Sequence, residues 1–343
     1  MKAVAYNHCH PVTHEDALLD VVLREPSEPR GHDLLVQVKA VSVNPVDAKQ
    51  RAGADPAGEP RVLGFDAAGI IVARGPDAHI FGNGEEVYYA GTITRPGSNA
   101  EFQLVDERIV GRKPKNLGWG EAASLPLTTI TAYEAMFDRL RISKSPSGVS
   151  GVGNTAAPIL VIGGAGGVGS MAIQLARQLT GHTVVATASR PETRAWCEKL
   201  GAHHVLDHSG DLVAQAKELR LSFPYIFSTT QTVRHWRAIC ELVAPQGAVV
   251  AIDDFMEIEI GRLKSKSASF HWEGMFARSI YKTPDMAAQH MLLNEVASLV
   301  EAGKIHHTAT RKLGKIDAAN LLEGHALVEK GAMIGKAVAE GWD

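Results

Sequence analysis

The stretch that decides the fold runs APILVIGGAGGVGSMAIQLARQL, residues 157–179. Its first part, APILVIGG (157–164), is a short, continuous apolar run closed by glycine, which is the pattern of a strand buried on both faces. Its second part sets Val168, Met171, Ala172, Leu175, Ala176 and Leu179 at helical spacing. Between them, GGAGGVG (163–169) carries Gly164, Gly166 and Gly169 in G-x-G-x-x-G order. That match says little by itself, but lying between a predicted strand and a predicted helix it gains meaning. The three glycines serve a tight turn, a close backbone approach to a pyrophosphate, and close helix–strand packing. The loop Gly164, Ala165, Gly166, Gly167, Val168 and Gly169 then points the free N–H groups of a helix N-terminus at the phosphates of a dinucleotide.

Working outward, the alternation continues. TVVATAS (183–189) reads as a second strand and ETRAWCEKLG as the following helix, with HHVLD (203–207), YIFSTT (225–230), GAVVAID (247–253) and SASFHW (267–272) as further strands. Alternating β and α units of this size require a parallel sheet covered on both faces. Residues 1–125 differ, with short apolar runs such as LLVQVKAVSV (34–43) and AAGIIVA (67–73) punctuated by glycine and proline. They predict an irregular, mostly β domain. The expected organisation is therefore a first domain at 1–125, a doubly wound Rossmann domain at 126–275, and a closing segment at 276–343 that returns to the first domain.

Composition narrows the function. The 343 residues carry a net charge of −3 with no basic block, so neither nucleic acid nor an anionic membrane surface is an expected partner. The stretch 145–176 is uncharged, but its glycines and Pro158 argue against a membrane span. The first residues show no secretory signal, and Cys9, Cys197 and Cys240 are too few and scattered for a disulfide frame. A reducing, cytoplasmic setting is the expectation.

Cofactor choice turns on the end of the second strand. NAD-binding folds place an acidic residue about 20 positions beyond the loop, where it binds the ribose 2′-hydroxyl. Here that count reaches Ser189, followed by Arg190, and no Asp or Glu occurs between Gly169 and Glu192. A hydroxyl beside a guanidinium suits a 2′-phosphate, so NADPH is expected. Ser189-x-x-Glu192 also reads as a helix capping box, and both roles can coexist.

These features resemble the medium-chain dehydrogenase/reductase superfamily along nearly the whole chain. The resemblance rests on SVNPVDAKQRAG (42–53), VLGFDAAGIIVARG (62–75), GNGEEVYYAG (82–91), GSNAEFQLVDE (97–107), EAASLPLTTITAYEAM (121–136), the glycine loop and GHALVEKGAMIGKAV (324–338). It implies a GroES-like first domain. Among the branches, the chain is similar to the quinone and enone oxidoreductases, and to a bacterial subgroup labelled zinc-type alcohol dehydrogenase-like. In zinc-bearing relatives a cysteine ligand stands where this chain has Asn44, and a histidine falls in the segment that here reads Gly64-Phe65-Asp66. The third ligand falls in LPLTTITAY (125–133), which holds neither Cys nor His. Only Asp66 could ligate zinc, so no metal is expected. The cluster His8-Cys9-His10 with His14 is read as a surface strand whose consecutive side chains diverge.

Without a Lewis acid, the substrate must carry its own electron sink, as a quinone or α,β-unsaturated carbonyl does. The resemblance implies Asn44 beside the substrate oxygen and nicotinamide, with Lys49 as a donor to the carbonyl. Each also has an ordinary reading, Asn44 as a turn former and Lys49 as a solvated lysine. The resemblance places His208 against the adenosine phosphate and Thr131 near the nicotinamide at the domain junction. Their bland alternatives are a loop residue and a helix-start residue. A homodimer is expected through SASFHW, an apolar edge strand. The competing functions are a non-catalytic NADPH-binding protein and a metal-dependent alcohol dehydrogenase.

Overall fold

The computed structural model describes residues 1–145 and 157–342; residues 146–156 of the uncharged stretch lie outside it. The chain divides into two compact units, Met1–Ile130 with Phe276–Asp343, and Thr131–Met275.

The second unit is built on a six-stranded parallel sheet. In chain order its strands are Pro158–Ile162, Thr183–Thr187, His204–Leu206, Phe223–Ser228, Val243–Ala251 and Ser269–Trp272. The third of these pairs with the second, the second with the first, the first with the fourth, the fourth with the fifth and the fifth with the sixth. This is the doubly wound order, reversing direction between Pro158–Ile162 and Phe223–Ser228. Ile159, Leu160, Val161 and Ile162 are all essentially without exposure, as a strand covered on both faces requires. The helix Gly167–Leu179 lays Met171, Ala172, Leu175 and Ala176 against it, all buried. Leu160, Ile162, Val185, Ile226 and Val249 share one core with Trp236 and Ile239 of the helix Thr232–Leu242. Ser269–Trp272 is the edge strand, pairing only with Val243–Ala251 among the described residues.

The first unit is mostly β and mostly antiparallel. The long strand Asp33–Val43 is its spine, pairing with Asp66–Arg74 on one side and with Lys336–Glu340 and Phe102–Asp106 elsewhere. Alternate residues Leu34, Val36 and Val38 are fully buried, the period of two expected of a strand with one covered face. Directly after it Asn44 and Pro45 open the helix Pro45–Gly53, with proline at the first helical position, where its missing N–H is harmless. The closing segment thus reaches back through Lys336–Glu340 to pair antiparallel with Asp33–Val43, Ala337 opposite Val43. That register sets Lys336 next to Asn44.

The predicted strand at His8-Cys9-His10 is a correction. The strand ends at Tyr6, and a bend follows it. The rings of His10 and His14 stack at 4.0 Å between centroids, so the separation expected from strand geometry does not apply. Among the described residues no three His, Cys, Asp or Glu side chains converge as a metal-binding group.

Candidate functional site

In the second unit, the glycine loop sits at the carboxyl end of Pro158–Ile162. Gly163 has φ +80, and a Cβ there would lie 2.6 Å from Thr229 Oγ1. At Gly164 a Cβ would meet Ala186 Cβ at 2.8 Å and Cys197 Sγ at 2.9 Å, so this glycine lets the loop pack on the sheet and the helix Pro191–Lys199. At Gly169 it would strike Gly163 O at 2.2 Å, which enforces close helix–strand approach. Gly166 differs, since its nearest neighbour would be Gly163 O at 3.7 Å. The space in front of Gly166 is open, which is what a pyrophosphate requires, and the cradle fits a nicotinamide dinucleotide. Ala165 is buried within the loop, while Gly167 and Val168 are partly exposed.

A short polar chain ties the loop to the neighbouring strands. Gly163 N donates to Thr187 Oγ1 at 3.1 Å, and Thr187 Oγ1 lies 3.1 Å from His208 Nδ1. Burial lowers the pKa of His208, with the charges of Arg234 and Arg190 adding to it against Asp207. These surroundings favour the neutral ring.

Ser189 and Arg190 follow Thr183–Thr187, both half-buried. The helix cap falls one residue later than the Ser189 capping box implies. Arg190 N donates to Thr193 Oγ1 at 3.1 Å, and that hydroxyl donates to Arg190 O at 2.8 Å. Ser189 is thereby spared the capping duty, while Arg190 Nε pairs with Glu192 Oε1 at 3.0 Å. Thr131 is buried inside the helix Pro126–Tyr133, not at its start, and is the first residue of the second unit.

In the first unit a buried polar network occupies the segment aligned with zinc ligands. Asp66, fully buried, accepts at Oδ2 from Asn44 Nδ2 at 2.8 Å, Lys336 Nζ at 3.0 Å and Ser42 Oγ at 3.3 Å. Its Oδ1 accepts from Leu127 N at 2.7 Å. Lys336 Nζ also donates to Val43 O at 2.9 Å and to Asn44 Oδ1. Asn44 is 1% exposed, and its amide is spent inside the protein: Oδ1 on Lys336, Nδ2 on Asp66 and, at 3.4 Å, on Ser42 O. Asp47 caps the helix start, accepting from Asn44 N at 2.7 Å and from Gly64 N at 3.1 Å. Burial pushes the Asp47 carboxyl up to about 7 against the pull of the Asn44 amide and Lys336. Lys49 is exposed on the same helix, Pro45–Gly53. Asn44 and Asp66 are thus brought together, and Lys49 stands at an exposed position of the helix that Asn44 opens.

These residues do not fit a catalytic zinc. Zinc takes about three protein ligands of N, S or O type. Here Asn44 presents a neutral amide already engaged, Phe65 is apolar, and the Asp66 carboxylate is saturated by four donors, one of them an ammonium. Sequence reasoning missed Lys336 and Ser42. The one local signal for Lys336 is a lysine leading the otherwise apolar buried run of Lys336–Glu340.

A two-unit dehydrogenase/reductase with a dinucleotide cradle is the class that this fold and these sites define. Residues 30–126 match the alcohol dehydrogenase GroES-like domain and 167–279 the zinc-binding dehydrogenase family. A zinc-type alcohol dehydrogenase-like protein of Staphylococcus aureus is 46% identical over 325 residues, 94% of this chain and 95% of its own length. A Rhizobium etli protein described as a zinc-dependent alcohol dehydrogenase is 54% identical, with TM-score 0.94 over 100% of this chain and 98% of its own. The Escherichia coli quinone oxidoreductase complexed with NADPH shares the fold, at TM-score 0.81 and 22% identity over 99% of this chain and 100% of its own. The chain belongs to the zinc-type alcohol dehydrogenase-like group of the medium-chain dehydrogenase/reductase superfamily, and is an oxidoreductase.

Proposed function

We propose that the chain is a cytoplasmic NADPH-dependent, zinc-independent reductase that delivers hydride to a quinone or an α,β-unsaturated carbonyl. The observation that carries this reading is the closed Asn44–Asp66–Lys336 network, whose donors and acceptors satisfy one another and leave no ligand set for a Lewis acid. Reduction of a simple ketone builds full charge on one oxygen, whereas a conjugated acceptor spreads it. The quinone oxidoreductase with the same fold is consistent with such an acceptor.

When bound, the reduced nicotinamide supplies the hydride. Hydride arriving at the far carbon of an enone leaves an enolate, which then takes a proton. Lys49 is the proposed donor to that oxygen, since its ammonium is exposed on a helix whose first turn is anchored by Asn44 and Asp47. With its amide committed, Asn44 acts in this scheme as a positioning residue. Ser189 and Arg190 would hold the 2′-phosphate and so favour NADPH over NADH, and His208 and Thr131 would complete the cofactor site. A homodimer through Ser269–Trp272 is part of the same reading. Trp272 is 51% exposed on that edge and packs on Phe255 at 4.5 Å, leaving an aromatic surface for a second copy. Light scattering at micromolar concentration that returns the mass of one chain rejects the dimer.

The reaction is tested by following NADPH absorbance with benzoquinone, 2-cyclohexenone and a simple aldehyde, each with and without chelator. Turnover of the first or second, indifferent to chelator, is expected. Activity on the aldehyde alone that chelator abolishes restores the metal-dependent alcohol dehydrogenase. Cofactor binding with no turnover of any acceptor leaves a non-catalytic NADPH-binding protein.

A further inference from the structure

The first unit contains a cavity of about 540 Å³ that the reductase reading does not use. That is within the ordinary size of a small-molecule site. Its wall is unusually cationic, carrying Arg30, Arg95, Arg108 and Lys282 against two aspartates, Asp33 and Asp106. The two aspartates are already engaged. Asp33 takes Arg95 through both oxygens, at 2.7 and 3.0 Å, and Asp106 takes Arg108 likewise, at 2.9 and 2.7 Å. Arg30 and Lys282 remain, both exposed, with no ion-pair partner among the described residues. Two uncompensated cations facing one cavity favour a doubly charged anion.

Two further features describe the rest of the ligand. Ser279 Oγ donates to Thr92 Oγ1 at 2.9 Å, and Thr92 Oγ1 lies 3.3 Å from Thr94 Oγ1, so three hydroxyls line one wall in a row. Gln103, 4% exposed, also lines the cavity. Its Nε2 donates to Pro96 O at 3.0 Å, while its buried Oε1 has no hydrogen-bond partner. Buried acceptors are nearly always satisfied, so an orphaned one beside a cavity points to a donor supplied from outside. Inorganic phosphate offers only the P–OH at its charged centre, whereas a polyol phosphate supplies hydroxyl donors at a distance from its phosphate.

We propose that this cavity binds a small phosphorylated polyol of the sugar-phosphate class, with Arg30 and Lys282 on the phosphate and Gln103 accepting from a ligand hydroxyl. Calorimetric titration tests it on protein saturated with NADPH, so that the glycine loop is filled. The probes are ribose 5-phosphate, inorganic phosphate and ribose. Ribose 5-phosphate should bind about tenfold or more tightly than inorganic phosphate. The double substitution Arg30→Gln/Lys282→Gln, at exposed positions that the fold does not need, should weaken both by about tenfold or more. Gln103→Leu should weaken ribose 5-phosphate and leave phosphate unchanged. No saturable binding at millimolar concentration overturns the proposal, as does an affinity that the double substitution leaves intact. Phosphate binding as tightly as ribose 5-phosphate overturns the sugar class.

Discussion

Lys336 Nζ lies 3.0 Å from Asp66 Oδ2, with the two side chains 4% and 0% exposed. Breaking a buried pair by removing one partner leaves an uncompensated charge and typically costs about 3–5 kcal/mol. Lys336→Met should therefore destabilise the protein by about that amount. Asp66→Asn added to it should recover part of the loss, because it removes the uncompensated charge, although its single amide oxygen can serve the Leu127 donor or the Asn44 and Ser42 donors and not both sets. Denaturant unfolding measures both. A loss under about 0.5 kcal/mol for the single change would mean that the network contributes little.

The glycine loop separates a folding role from a binding role. A methyl at Gly169 meets backbone oxygen at 2.2 Å, whereas at Gly166 nothing stands closer than 3.7 Å. Gly169→Ala should lower stability by about 1–3 kcal/mol through overpacking. Gly166→Ala should melt as the parent does and yet lose cofactor affinity, since the methyl fills the space left for the pyrophosphate. Thermal melts paired with cofactor titration decide it. Equal melting losses in both variants would remove the distinction.

Glu273 supplies a pH prediction. It is 5% exposed, beside the buried Glu134, with Arg139 Nε on its Oε2 at 2.8 Å. Burial and the Glu134 charge push its carboxyl from an ordinary 4.5 to about 8, against Arg139. The neighbouring Glu134 carboxyl favours the protonated form of Glu273, while Arg139 opposes it. A pKa raised on folding means that the folded state holds a proton the unfolded state releases. The contribution is full below pH 4.5 and is lost as the pH rises through 8. The unfolding free energy of the parent minus that of Glu273→Gln should fall across this window, by on the order of 1 kcal/mol per pH unit. Urea unfolding at several pH values checks the slope, and a flat difference would defeat the assignment.

The Rossmann half was open to reading because its evidence is local. A fully apolar strand, three glycines and a periodic helix lie within residues 157–179, and each constrains its neighbours. Strand ends were less legible. SASFHW begins pairing at Ser269, because Ser267 turns left-handed with φ 51 as the cap of the preceding turn. The buried network was not legible at all. Lys336 reaches Asn44 across 292 positions, and only the antiparallel register of Lys336–Glu340 on Asp33–Val43 brings them together. Asn44 therefore looked like a free donor until its partners were located. The helix cap at Arg190 was hidden for a different reason, since Ser189 and Thr193 both satisfy capping chemistry and backbone direction chooses between them.

In the proposed function, the preference for NADPH rests on Arg190. Its backbone caps the helix Pro191–Lys199, while its guanidinium pairs with Glu192 at 3.0 Å, both side chains being about half exposed. A 2′-phosphate would compete with Glu192 for that guanidinium, and a dianion offers it more than one carboxylate does. Arg190→Ala keeps the capping, which uses backbone groups, and removes the cation. It should weaken NADPH by about 1.5–3 kcal/mol, the range for a hydrogen bond to a charged group, and leave NADH nearly unchanged. Glu192→Gln should act in the opposite sense, tightening NADPH modestly by releasing the guanidinium and removing a negative charge. Fluorescence titration of both cofactors against the three proteins measures the difference. Equal losses for NADPH and NADH in Arg190→Ala would show that the side chain supports the loop generally and does not read the 2′-phosphate.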